Sequence, residues 1–198
     1  MSQIKRSEVP KEQTWNVESL FAGKEAWENE LEALTASAPK LASFSGRLAE
    51  SGSLLLEALT HRYDLYARAY RASMFASLQS STEATNPEFS SMASQAGMVF
   101  AGLGAAGAYF EPELLTLEPA TFEKFMTGTP GLEVYRHFFV ELQTKKPHIR
   151  SGEIESLLAE AGDPLNTPDV AASAATQADM SFEAITHDGS SLAVSHSR

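Results

Sequence analysis

Cysteine is absent from the 198 residues of this chain. Disulfide scaffolds and thiolate metal sites are therefore excluded. The sequence also contains no Asn-x-Ser/Thr acceptor for N-linked glycans and no apolar run of about 18 residues, the minimum for a membrane-spanning helix. From these absences, and from a polar N-terminus without a signal-peptide pattern, we predict a cytoplasmic protein.

β-branched aliphatic residues are scarce, with 7 Val and 4 Ile against 29 Ala and 21 Leu. Ala and Leu favour helices, whereas Val and Ile favour strands. The hydrophobic fraction of 43% is that of an ordinary globular protein. The composition therefore predicts a fold that is mainly α.

Positive charge is also in short supply, because 15 Lys and Arg residues face 26 Asp and Glu residues and leave a formal net charge of −11. The acidic excess is largest in the second half of the chain. Like charges repel, so nucleic acid and anionic membranes are excluded as partners.

Two consecutive segments repeat apolar residues three and four positions apart, the spacing of one helix face. The first face comprises Leu56, Leu59, Tyr63, Tyr66, Tyr70, Met74 and Leu78, and the second comprises Phe89, Met92, Ala96, Val99, Leu103, Ala106 and Phe110. Ser51 is a candidate N-cap for the first helix, and Asn86 followed by Pro87 opens the second. The pattern predicts a long antiparallel helical hairpin over residues 53–110, with the two faces packed on each other and Pro112 closing the second arm.

Shorter elements surround this hairpin. We predict a surface arm over residues 1–14, a first helix from Lys24 that Pro39 breaks, and shorter helices over 119–126, 130–145, 153–161 and 169–178. Asp188-Gly189 predicts the turn of a small C-terminal β-hairpin. Since a lone two-stranded hairpin is marginally stable, we expect the chain to be a truncated part of a larger architecture.

The run Gly102-Leu103-Gly104-Ala105-Ala106-Gly107 matches the dinucleotide fingerprint G-x-G-x-x-G. A dinucleotide site needs a strand before the first Gly, whereas a helical pattern passes straight through this motif. We therefore interpret the motif as helix packing, with the small residues at 97, 101, 104, 105 and 108 admitting a close neighbour.

The five His residues were compared with zinc-ligand spacings. His137 and Glu141 lie one helical turn apart, and His187 and His196 lie nine residues apart, but no His-Glu-x-x-His motif occurs. Neither pair supplies the three or four ligands of a zinc site. We predict no catalytic, cofactor-binding or metal-binding residue in this chain.

Two further clusters have structural interpretations. The Tyr63, Tyr66 and Tyr70 stripe is predicted to lie in the core, because aromatic residues at this spacing usually do. The segment 145–148 (Lys-Lys-Pro-His) is predicted to be a helix C-terminus, where the helix dipole favours positive charge.

Seven short motifs occur in one order along the chain. They are RSEVP (6–10), TWNVESLF (14–21) with Trp27 behind it, FSGRL (44–48), TNPEF (85–89), YRHFF (135–139), KPH (146–148), and ADMSF followed by DG (178–189). In this order they resemble the N-terminal region of oligoendopeptidase F, a family of thimet-oligopeptidase-like zinc metallopeptidases.

The resemblance implies a zinc-dependent oligoendopeptidase that hydrolyses peptide bonds in short oligopeptides inside a channel. This part of it would form a wall of the channel and restrict access. The catalytic His-Glu-x-x-His helix would lie in the downstream catalytic domain, so zinc is expected in the full-length parent and not in this chain, which is predicted to be inactive alone.

The resemblance also suggests a domain organisation. Residues 1–112 would hold the arm, the first helix and the long hairpin, residues 113–179 an oligopeptidase F-type helical domain, and residues 180–198 a β-hairpin at the start of the catalytic domain. Its partners would be oligopeptide substrates, its own catalytic domain and a second copy bound through exposed surface.

An alternative is an autonomous helical protein-interaction module without enzymatic activity, whose long hairpin is a docking surface. The reading frame beyond Arg198 separates the two hypotheses. A continuation with His-Glu-x-x-His favours the enzyme, and a stop codon favours the module.

Overall fold

The computed structural model describes residues 9–82, 86–148, 154, 157, 161–176, 180 and 183–192. Helices dominate these residues, which confirms the predicted mainly α class. No helix among them is long and apolar enough to cross a membrane. The chain divides into two compact units, one of residues 4–146 and one of residues 147–198 with residues 1–3.

The described residues of the first unit form six α-helices. They are α1 (Lys24–Ala42), α2 (Gly52–Thr82), α3 (Pro87–Ala106), α4 (Phe110–Leu115), α5 (Pro119–Gly128) and α6 (Arg136–Lys145). Short 3₁₀ turns span Lys11–Gln13, Val17–Ser19, Leu132–Tyr135 and Lys146–His148. At 1.5 Å per residue α2 is about 46 Å long, and it is the element against which the other helices pack.

Both predicted caps of the helical hairpin are present. The Ser51 hydroxyl accepts a 3.1 Å hydrogen bond from the Leu54 N–H at the start of α2. The Asn86 side chain accepts a 3.0 Å bond from the Glu88 N–H at the start of α3. Each cap pairs a main-chain N–H that the helix leaves unbonded, which fixes where the helix begins.

Two apolar clusters form the core of this unit. One joins α1, α2 and α3 through side chains that include Trp27, Leu34, Leu65, Phe75 and Leu103. The other joins the start of α2 to α4, α5 and α6 and includes Leu48, Leu59, Phe110, Leu132 and Phe139. The two halves of α2 therefore have different neighbours.

The predicted buried face is correct for α3 and wrong for most of α2. Met92, Ala96 and Leu103 are buried as expected. In α2, however, Tyr63 and Tyr70 keep 39% and 61% of their surface exposed, which overturns their predicted place in the core. The residues that α2 buries are mainly small or aliphatic: Gly52, Leu55, Ala58, Leu59, Leu65, Ala69, Ala72, Phe75 and Ala76.

Two predicted helix ends are also wrong. Pro39 lies inside α1 instead of breaking it, and only three residues of the helix follow it. The second arm of the hairpin ends at Ala106, where Gly107 caps α3. Pro112 belongs to the first turn of α4, where no intrahelical N–H bond is required.

Glu113 on α4 binds the loop between α1 and α2 through hydrogen bonds. Its two carboxylate oxygens accept hydrogen bonds of 2.8 Å from the Gly46 N–H and 2.6 Å from the Leu48 N–H. Gly46 has a φ of 76°, a left-handed conformation that glycine adopts without strain. This contact holds the FSGRL segment against the second apolar cluster.

The described part of the second unit contains helix α7 (Gly162–Ala174) and strands β1 (Ile185–His187) and β2 (Ser190–Leu192). The strands pair antiparallel, with Ile185 opposite Leu192. Asp188 and Gly189 connect them with φ values of 49° and 75°, as a type I′ turn requires, so the predicted β-hairpin is confirmed.

The helix predicted over residues 169–178 instead begins at Gly162. Pro164 falls in its first turn, where proline favours helix initiation. Most of the predicted helix over 153–161 lies outside the described residues. Residues 1–8 of the predicted arm over 1–14 lie outside them as well. The arm is described from Val9 onward and contains the first 3₁₀ turn.

Candidate functional site

An open groove of about 650 Å³ runs beside the first half of α2. It is lined by Lys40, Ser53, Leu56, Glu57, Thr60, His61, Asp64, Thr129 and Pro130. The six lining residues of α2 recur three and four positions apart, so they lie on one face of the helix. The remaining walls come from the end of α1 and from the turn after α5.

A glycine in α2 allows the turn after α5, which forms one wall of the groove, to approach that helix. At Gly52, the first residue of α2, a Cβ would overlap the Thr129 hydroxyl and crowd Phe125. The absence of a side chain at this position therefore lets the turn after α5 rest directly on the helix.

The charges of the groove are largely paired. Lys40 Nζ lies 3.4 Å from Glu57 Oε1 and links α1 to α2. Asp64 Oδ2 lies 3.4 Å from Arg68 Nη1. Both pairs are exposed to solvent, where an ion pair contributes about 0–1 kcal/mol. They shape the rim of the groove more than they stabilise the fold.

His61 is the unusual side chain of the groove. Burial lowers its pKa below 6.5, and the charge of Lys40 lowers it further, against the opposing effects of the Ser37 carbonyl, Asp64 and Glu57. Its Nε2 is buried and has no hydrogen-bond partner among the described atoms. At neutral pH the His61 imidazole is therefore uncharged.

A second site, absent from the sequence-based predictions, centres on Arg62. Its guanidinium carbon lies 4.9 Å from the Tyr66 ring centre, 5.1 Å from that of Phe110 and 5.7 Å from that of Tyr63. Glu111 Oε1 is 3.8 Å from Nη2. The sequence signal was an arginine one position before Tyr63 and four before Tyr66, the spacing of helix neighbours.

The candidate zinc residues are not brought together. His137 Nε2 lies 3.4 Å from Glu141 Oε1, but the His137 side chain is 84% exposed. His187 is in β1, and His196 lies outside the described residues. Across the part of the chain that the structure describes, no three His, Cys, Asp or Glu side chains are grouped to hold a metal ion.

The glycine-rich motif lies on a helix, as predicted. Residues Gly102 to Ala106 belong to α3, and Gly107 is its cap. The close neighbour predicted for the face at 97, 101, 104, 105 and 108 is not found at its glycines, because a Cβ at Gly97 or Gly104 would meet nothing within 4 Å among the described residues.

The basic segment at 145–148 is a helix end, as predicted. Lys145 closes α6. Lys146 Nζ donates a 2.8 Å hydrogen bond to the Leu115 carbonyl at the end of α4. The positive charge therefore serves a helix-to-helix contact.

Comparison with known proteins identifies the family. Residues 113–182 match the sequence model of the family described as Oligopeptidase F. Over 192 residues the chain is 32% identical to Oligopeptidase PepF of Bacillus subtilis (strain 168), an alignment covering 96% of this chain and 29% of that protein. Group B oligopeptidase PepB of Streptococcus agalactiae is 31% identical over 158 residues, or 80% of this chain and 26% of that protein.

The fold agrees with these relatives. The crystal structure of oligoendopeptidase-F from Enterococcus faecium superposes with a TM-score of 0.75 at 24% identity, covering 88% of this chain and 35% of that one. The chain thus spans about a third, or less, of the length of the proteins it matches. By sequence and by fold, it corresponds to the N-terminal region of the oligoendopeptidase F family.

Proposed function

We propose that this chain is the non-catalytic N-terminal part of a zinc-dependent oligoendopeptidase and forms one wall of its substrate channel. The observation that carries the proposal is the pattern of coverage. The chain aligns along 96% of its length with a protein named as an oligopeptidase, yet covers 29% of that protein. A catalytic domain in the remaining length would supply the zinc site, because this sequence has no His-Glu-x-x-His motif.

The packing of α1, α2 and α3 suits a rigid wall. Trp27, Leu65 and Leu103 are almost completely buried where the three helices meet. Close-packed interiors resist deformation, so a helix about 46 Å long held in this way keeps its shape when a substrate arrives. The wall would then select substrates by whether they can enter the channel. A folded domain of 100 residues has a radius of gyration of about 13 Å, whereas a short peptide can enter in extended form.

Within this proposal, residues 1–112 hold the arm, the first helix and the long hairpin, residues 113–179 are an oligopeptidase F-type helical domain, and residues 180–198 lead into the catalytic domain. The partners are oligopeptides and that domain, and the compartment is the cytoplasm.

The length dependence of cleavage tests the channel wall. The longer protein that contains this region should cleave short quenched-fluorescent peptides and leave a stable folded protein intact. An unfolded variant of the same protein is the matched control, because it keeps the length of the chain and removes its folded shape. Equal cleavage of the folded protein and the short peptides would contradict a wall that selects by access.

A further inference from the structure

Arg62 on α2 has a charge that its surroundings satisfy incompletely. Its side chain is 16% exposed, and its Nε is buried with no hydrogen-bond partner among the described atoms. Buried polar atoms in native structures are nearly always paired, so an unpaired nitrogen on a cation requires an explanation.

The rings around Arg62 stabilise the cation, and the Tyr63 side chain also hydrogen-bonds with it. Tyr66 and Phe110 hold the guanidinium carbon at 4.9 Å and 5.1 Å from their ring centres, within the range of cation–π attraction. The nearest carboxylate oxygen, on Glu111, is 3.8 Å from Nη2, beyond hydrogen-bonding distance. A guanidinium can donate two parallel bonds to one carboxylate, and no carboxylate of the described residues lies close enough to accept them.

An apolar surface lies next to the guanidinium. Tyr63 stacks on Tyr135 with ring centres 5.4 Å apart and meets the edge of Phe138 at 6.1 Å. The exposed part of Tyr63 leaves this aromatic cluster open to solvent. Arginine beside aromatic rings is the composition enriched in binding sites.

We propose that Arg62, with Tyr63 beside it, binds the carboxylate of a peptide. The carboxylate approaches from the side of the half-exposed Glu111 and displaces it, and the adjacent apolar side chain of the peptide rests on the Tyr63 ring. The choice of a peptide as the ligand rests on the proposed function, whereas the need for an anion rests on the geometry of Arg62.

Calorimetric titration of the 198-residue chain tests the site. One probe is an N-acetylated tripeptide that ends in phenylalanine with a free carboxylate, and the second is the same peptide with a C-terminal amide. A third, amidated peptide with one glutamate side chain distinguishes a terminal carboxylate from a side-chain carboxylate. A charge-assisted hydrogen bond is equivalent to a factor of about ten or more in affinity, so the free acid should bind at least about tenfold more tightly than the amide.

Variants connect this preference to the named residues. Arg62→Gln should abolish the preference for the acid, and Glu111→Gln should strengthen binding by about threefold because it removes the competing carboxylate. Arg71→Gln is the matched control: its guanidinium carbon also lies 5.0 Å from a ring centre, that of Phe21, but the group already donates to the Leu20 carbonyl. The control should bind as the unaltered chain does.

If Arg62→Gln fails to fold by circular dichroism, Arg62→Lys retains the charge without the planar fork and should bind about threefold more weakly. Equal affinities for acid and amide, or undiminished binding by both Arg62 variants, would overturn the proposal. Because binding is measured on this chain without catalysis, such a failure leaves peptide cleavage by the longer protein as a separate question.

Discussion

The indole Nε1 of Trp27 donates a 2.9 Å hydrogen bond to the main-chain carbonyl of Ala72. The bond joins the first turn of α1 to the third quarter of α2, and the indole itself is fully buried. A polar atom inside the core thus fixes the position of one helix on another, which apolar contacts alone would specify less tightly.

Replacing Trp27 separates the two contributions. We expect Trp27→Ala to lower the free energy of unfolding by about 3–5 kcal/mol through the cavity it leaves. Trp27→Phe should cost about 1–2 kcal/mol, because it retains most of the volume and loses the hydrogen bond. Chemical denaturation measures both, with the exposed Tyr70→Phe as a control that should stay within about 0.5 kcal/mol. Equal costs for the two Trp27 variants would show that the hydrogen bond dominates.

The two sides of α3 should respond differently to the same kind of substitution. Leu103 is buried between α1 and α2, whereas Met98 on the same helix is 68% exposed. Leu103→Asp buries an unpaired charge and should destabilise by several kcal/mol, whereas Met98→Asp should change stability by about 0.5 kcal/mol or less. Thermal melting decides the point. Similar losses in the two variants would mean that α3 is buried by a different face.

The success of the sequence-based prediction for α3 and its failure for α2 have one physical cause. The buried face of α3 meets α1 and α2 together, so large apolar residues such as Met92 and Leu103 mark it clearly. In the second half of α2 three of the four buried residues are Ala69, Ala72 and Ala76, beside Phe75. The small alanine side chains let two helices approach closely but give little periodic signal.

The tyrosines of α2 gave the misleading signal. Tyr63 and Tyr66 lie against rings from other elements at the edge of the core, Tyr135 and Phe100 respectively, and neither is fully buried. Neither the groove around His61 nor the Arg62 cluster was predictable, because each combines α2 with residues distant in sequence. The helix caps at Ser51 and Asn86, by contrast, depend on a few neighbouring residues and could be predicted from the sequence alone.

His61 should make stability depend on pH in the acidic range. Its pKa in the folded state lies below the ordinary value of 6.5, so below pH 6.5 the unfolded chain binds more protons than the folded one. The free energy of unfolding therefore falls as the pH drops from 6.5 towards the folded-state pKa. In His61→Phe, denaturation curves between pH 7 and pH 5 should show a smaller decline than in the unaltered chain.

The exposed His137 supplies the control for this experiment. His137→Gln should retain most of the decline of the unaltered chain. A decline that survives in His61→Phe and disappears in His137→Gln would contradict His61 as its source.

The chain alone should self-associate weakly, and more strongly at high salt. The β-hairpin exposes Ile185, and α3 presents an exposed face without charge that includes Gly97, Met98, Ala101 and Ala105. The net charge of −11 opposes association, and salt screens this repulsion beyond about 10 Å at 0.1 M. Light scattering should show a larger mass at high salt, and Ala101→Glu should reduce it. A monomer under all conditions would remove support for association through these surfaces.

The most direct test of the account is a cleavage and metal assay performed on two proteins in parallel. One is the 198-residue chain, and the other is the full product of the gene that encodes it. Our account predicts that the longer product contains His-Glu-x-x-His, retains stoichiometric zinc after dialysis and cleaves a short quenched-fluorescent peptide, whereas the 198-residue chain does none of these. Stoichiometric zinc in the shorter chain that His-to-Ala substitutions abolish, or a reading frame without the motif, would contradict it.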